Sequence, residues 1–158
     1  MSIYTNVPLI KQEKRMSCWH ASARMIWGFK YKQSINPLKS VFTKNSGLLA
    51  TQFVTLAKSL GLESVPLINM SYSWLALAQL LNRHGPLWVA GDWYGVPHIV
   101  VITGVEPNGT VYINDPAGVK KVQDMRFFNE KIASNVANPI MYLPDSRANQ
   151  QGYGTYFE

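Results

Sequence analysis

Apolar positions recur at two different periods along the chain, and the change of period divides it. Cys18, Ala21, Ser22, Met25, Ile26 and Phe29 fall at helical spacing and define one face of a helix from about Cys18 to Phe29. Ser17 stands where an N-cap belongs, with a hydroxyl able to accept a free amide of the first turn. Before it, Val7-Pro8-Leu9-Ile10 is a short extended lead-in, since Pro8 biases the preceding residue away from helix. Leu49, Phe53, Leu56, Ala57 and Leu60 mark a second helix, stopped at Gly61 by a left-handed cap. Asn36-Pro37 and Asn45-Ser46-Gly47 are turn signals in the stretch between. Leu62 to Val65 reads as a short strand. Ser71 or Ser73 then opens a third helix carrying Trp74, Leu77, Ala78 and Leu81, which Gly85-Pro86 ends.

From Leu87 the texture is that of strands. Leu87 to Ala90 is a continuous apolar run, and Gly91 to Pro97 is a loop rich in glycine and aromatics. His98 to Ile102 and Thr110 to Ile113 are two further strands, joined by a hairpin turn at Glu106-Pro107-Asn108-Gly109. Asp124 to about Ser134 is a short helix, and Pro139 to Leu143 a last strand. The pattern predicts an α+β fold, with a helical N-terminal half packed on a C-terminal antiparallel β-sheet and a cleft between them. Residues 1–144 form the expected domain, and the polar stretch 145–158 a loose tail.

Composition narrows the function classes. At 158 residues, 47% hydrophobic and 15% charged, the chain has the balance of one globular domain rather than of a disordered segment. The net charge of +6 comes from scattered lysines and arginines, without a basic run or a nucleic-acid motif, so no nucleic-acid partner is expected. A single cysteine excludes an internal disulfide and a cysteine-based zinc site, and nothing calls for a metal or an organic cofactor. No apolar run is long enough for membrane insertion, and the N-terminus lacks the basic-then-apolar pattern of a signal peptide. The expectation is a cytoplasmic protein, or one that leaves its cell without a cleaved leader and is delivered into the cytoplasm of a target cell.

The chemistry gathers around Cys18. A lone cysteine is most often a small buried hydrophobe, but this one opens a helix, where unpaired amides and the helix dipole favour a thiolate. Gln12 stands six positions earlier and can offer a side-chain amide to the oxyanion of a tetrahedral intermediate, with the Cys18 backbone amide as a second donor. Of three histidines, His20 would project from a different face than Cys18. His84 sits at a helix C-terminus, where a cation complements the dipole. His98 opens an apolar strand, where an imidazole has no packing reason to stand, and is the general-base candidate. Asp115, in Asn114-Asp115-Pro116 at the end of the neighbouring strand, is the natural group to orient that imidazole, with Asn114 and Asp92 as runners-up. Strand alternation sends Asn114 and Asp115 to opposite faces, so only one of them can serve. Trp19, Trp93 and Tyr94 are candidates for the substrate cleft, and equally for aromatic core packing.

Taken together, these residues resemble the papain-like cysteine peptidases, in particular the bacterial double-glycine leader peptidases that process bacteriocins. The matching pieces are Gln12 and Cys18, the helix Ala21-Ser22-Ala23-Arg24-Met25-Ile26, Lys58-Ser59-Leu60-Gly61-Leu62-Glu63, Gly85-Pro86-Leu87, His98-Ile99-Val100-Val101 and Asp115-Pro116-Ala117-Gly118. The resemblance implies a Cys18-His98-Asp115 triad with Gln12 at the oxyanion hole, acting on a protein or peptide substrate, with cleavage after small residues such as Gly-Gly. Ser17-Cys18-Trp19 looks more like papain-type enzymes, including effector proteases that bacteria inject into other cells. That likeness implies a delivered effector or toxin, with a neutralising immunity or inhibitor protein as a candidate partner. The same triad would also serve acyl transfer or glutamine deamidation, or survive in a silent binding module.

Overall fold

The computed structural model describes residues 2–32, 50–66, 71–133 and 138–145. The expected turns at Asn36-Pro37 and Asn45-Ser46-Gly47, together with Leu49, Ser134 and the tail beyond Asp145, lie outside the described residues. The elements run β1 (Ser2–Ile3), α1 (Cys18–Tyr31), α2 (Ala50–Ser59), β2 (Glu63–Ser64), α3 (Trp74–His84), β3 (Leu87–Gly91), β4 (His98–Val105), β5 (Thr110–Asp115), β6 (Val119–Asp124), α4 (Met125–Lys131) and β7 (Ile140–Tyr142). The α+β reading holds, and the order of helices and strands follows the apolar pattern.

Local chemistry explains most of the boundaries. The Ser73 hydroxyl accepts the Ala76 amide at 3.1 Å and starts α3, and the Asp124 carboxylate accepts the Phe127 amide at 2.8 Å and starts α4. The chain turns away after α2 at Gly61, whose φ of 89° is left-handed, and the Leu62 amide reaches back to the Ala57 carbonyl. Ser17 departs from expectation. Its hydroxyl accepts the Lys14 amide at 2.9 Å and donates to the Lys14 carbonyl at 2.8 Å, so no side chain caps α1. The tight turn before the helix has taken that hydroxyl, and the positive end of α1 is left open at Cys18.

Among the described residues the strands form one antiparallel sheet in the order β2-β7-β3-β4-β5-β6, with β1 pairing β4 at Gly104 and Val105. Helices cover both faces. Met25 and Ile26 of α1 and Phe53 of α2 share a core with Trp88, Ile99 and Val101. Leu77 and Leu81 of α3 and Phe128 of α4 pack with Val89, Val100 and Ile102 on the other side. Successive residues of β3 and β4 thus enter opposite cores, which is why these strands read as continuous apolar runs rather than as alternation. Each large side chain fully buried in this way contributes on the order of 2–3 kcal/mol.

Two connections aim the strands that matter most. Gly91 pairs with His98 at the end of the β3–β4 ladder. A Cβ at Gly91 would come within 2.5 Å of the Lys131 carbonyl and 2.7 Å of the Trp93 ring, so only glycine lets the C-terminal end of α4 press against this corner. The lead-in before α1 is tied across the far end of β5. Asn114 Nδ2 donates to the Val7 carbonyl, and the Gln12 amide to the Pro116 carbonyl at 2.6 Å. These ties hold the start of α1 over the ends of β4 and β5.

Candidate active site

Cys18 is the first residue of α1 and is 2% exposed. His98 is the first residue of β4; its ring is hydrogen-bonded to the Asp115 carboxylate, and the Cys18 thiol lies near enough to act on the ring's charge. The bond to Asp115 runs from Nε2 to Oδ1 at 2.7 Å, which leaves Nδ1 as the nitrogen available to the thiol. Register explains the pairing. Val101 lies opposite Asn114, so His98, three residues before Val101, and Asp115, one after Asn114, share a face as diagonal neighbours. Asn114 points the other way, where its amide serves Val7, and Asp92 is exposed in the β3–β4 loop. Of the three candidate orienters, Asp115 is the one that meets His98.

The electrostatics follow from burial set against specific partners. Burial disfavours a charged His98, but Asp115 and Cys18 outweigh it and raise the ring to about 9. Burial likewise works against an ionised Asp115, which is 1% exposed. His98 and the Ala117 amide, at 2.8 Å from Oδ1, nevertheless bring it down to about 2. Lys121 of β6 adds an ammonium 3.1 Å from Oδ2. Nothing in the sequence reading singled out Lys121. The signal was the β5–β6 hairpin register, which sets Val119 opposite Asp115 and brings Lys121, two residues on, to the same face.

The arrangement joins a buried thiol at an uncapped helix N-terminus to an imidazole oriented by a carboxylate, which is the geometry of nucleophilic acyl transfer. The sequence model of the papain-like cysteine protease AvrRpt2 family matches residues 1–133. The chain belongs to that family. Its fold is similar to the crystal structure of a double glycine motif protease from an AMS/PCAT transporter in complex with the leader peptide. The TM-score is 0.56 at 22% identity, covering 90% of this chain and 96% of that one. The protein is thus a papain-like cysteine peptidase, a hydrolase.

Other residues considered for the peptidase site take different places. The Gln12 side chain spends its two amide hydrogens on the Lys14 and Arg15 carbonyls, each at 2.8 Å, so it shapes the loop ahead of Cys18. Trp19 and Trp93 are 2% and 1% exposed. Trp93 stacks on Phe127, and its indole donates to the Val89 carbonyl, so of the two packing alternatives these indoles take the core. Tyr94 is partly exposed and lies under the Lys121 ammonium. His20 is buried edge-on against Trp19. His84 stacks on Tyr142, and burial, with Arg83 and Lys30 nearby, lowers its pKa. Lys30 supplies a cation at the end of α3, its ammonium donating to the His84 carbonyl at 2.9 Å. An open cleft of about 260 Å³ flanks His98, lined among others by Phe53, Ala90, Pro97 and Ile132. Among the described residues no three His, Cys, Asp or Glu side chains converge as metal ligands, and no helix is long and apolar enough to cross a membrane.

Proposed function

We propose that the protein is an endopeptidase that cuts protein substrates through Cys18, His98 and Asp115, with residues 1–144 as the catalytic unit. One observation carries this reading: a single imidazole hydrogen-bonded to a buried carboxylate, with the only thiol of the chain close enough to raise its pKa. His98 takes the thiol proton as Cys18 Sγ bonds to the peptide carbonyl carbon. The carbonyl oxygen becomes an oxyanion, held by the Cys18 amide and by Gln12. The C–N bond then breaks, and His98 gives its proton to the departing amine. Water attacks the thioester, His98 accepts the water's proton, and the C–S bond breaks to release the acid and restore the thiol. For this role Gln12 exchanges one of its loop hydrogen bonds for the oxyanion when substrate arrives. Catalytic hydrogen bonds commonly tighten only in the substrate complex.

We assign the enzyme to delivered effectors or toxins, met in the target cell by substrate proteins and in its own cell by an immunity protein. The small-residue preference, Gly-Gly included, draws support from the fold shared with a double glycine motif protease. Wild type and Cys18→Ala protein incubated with a whole bacterial lysate, followed by mapping of new peptide termini, test reaction class and preference together. New termini after small residues, made only by wild type, are expected. Side-chain mass changes of about one unit with no new termini would replace proteolysis by deamidation.

A further inference from the structure

Asp115 receives more than a histidine orienter requires. Oδ1 accepts from His98 and from the Ala117 amide, and Oδ2 is left for Lys121. The Lys121 ammonium is itself held by a second contact, 3.4 Å from the centroid of the Tyr94 ring. A lysine is a flexible point charge, and two partners on its ammonium hold it in place. We propose that Lys121 is a positioning residue of the hydrolytic site: seated on Tyr94, it pins Asp115 Oδ2 so that Oδ1 alone faces His98. This rests on the Cys18-His98-Asp115 reading above.

Among the described residues few groups face Asp115. His98 approaches from β4 with Cys18 of α1 behind it, Lys121 from β6, and Tyr94 from the β3–β4 loop, its phenol pKa raised by burial. The stem of Lys11 lies against Gly118 in the β5–β6 turn, and Lys120, opposite Asn114, belongs to the other face. Lys121 is thus the cation that shares the carboxylate with the imidazole. With its charge removed, Asp115 would act on His98 undivided and also be free to rotate. The imidazolium would hold its proton to higher pH, and the ring would lose its fixed aim.

Cys18 is the only cysteine, so its alkylation by iodoacetamide reports the pair with no substrate needed. Rates are measured from about pH 4 to pH 10 on wild type, Lys121→Met, Lys121→Arg, Tyr94→Leu and His98→Ala. Wild type should show two steps, the upper one absent in His98→Ala. Lys121→Met should move the upper step up by about half a pH unit or more, Tyr94→Leu by less in the same direction, and Lys121→Arg should stay near wild type. An unmoved Lys121→Met profile, or an arginine variant shifted as far as the methionine one, overturns the proposal and leaves the triad standing. If Lys121→Met does not fold, an unmoved Tyr94→Leu profile overturns it. A wild-type profile with one step, unaltered in His98→Ala, brings down the triad and this proposal with it.

Discussion

Two histidines lie close to the same sulfur, by sequence in one case and by folding in the other, and they have been driven in opposite directions. His20 follows Cys18 by two residues. It is buried edge-on against Trp19, and burial, with Arg24 adding to it, lowers its pKa to about 4. His98 is eighty residues away along the chain. It is also buried, but its partners are a carboxylate and the thiol, and its pKa is raised to about 9. Burial pushes both rings the same way, so the difference lies in the partner. Nearness in sequence to the thiol supplied packing, and the register of two strands supplied a carboxylate.

The largest expected effects would break this contrast outright. Cys18→Ala and His98→Ala should lower kcat/KM on a peptide spanning the mapped cut by at least about a thousandfold, and His20→Gln by no more than about fivefold. A His20→Gln protein as inactive as His98→Ala, with an unchanged Tm, would make the two rings functional equals. Asp115→Asn tests the partner itself and should cost about a hundredfold in kcat, because an amide no longer stabilises the imidazolium. If Asp115→Asn kept full activity, the raised pKa of His98 would have no bearing on catalysis. Gln12→Ala should lower kcat by about tenfold to a hundredfold with KM little changed, since the Cys18 amide remains as an oxyanion donor. A loss confined to KM would instead assign Gln12 to loop shape alone.

The smallest effect is on stability, and there the two rings oppose each other. His98, raised from 6.5 to about 9, contributes fully below pH 6.5, and that contribution is lost as pH climbs through 9. His20, lowered from 6.5 to about 4, contributes above pH 6.5 and loses that contribution as pH falls toward 4. Asp115, lowered from 3.8 to about 2, stays constant across this range and is lost only as pH falls through 2. Urea midpoints should therefore peak near pH 6.5. His20→Gln should flatten the acid side and His98→Ala the alkaline side. Variants that leave both slopes as in wild type would contradict the assignment.

The sequence made the helices and the inner strands legible because their periods are strong. Phe53, Leu56 and Ala57 could only be one helix face, and Leu87 to Ala90 only a strand covered on both sides. β1 escaped because two residues carry no period. β6 escaped because its valines, Val119 and Val122, are three apart and both exposed, so no face shows alternation. With β6 went Lys121, whose place depends on a hairpin register that composition does not encode. His98 and Asp115 were readable because a turn signal put them at one end of adjacent strands. Gln12 was read for its amide, yet the local carbonyls of Lys14 and Arg15 compete for the same hydrogens. Ser17 was read for its hydroxyl, and the preceding turn claimed it first.

The pairing of Ser2 and Ile3 with Val105 and Gly104 carries a practical consequence. His98 begins β4 and Val105 ends it, about 23 Å away at the usual rise of an extended strand. Any affinity handle, fluorophore or carrier joined ahead of Ser2 would leave from the end of that strand remote from His98. Anchoring the enzyme to a bead by its amino end should therefore leave the mouth of the cleft open to large polypeptides.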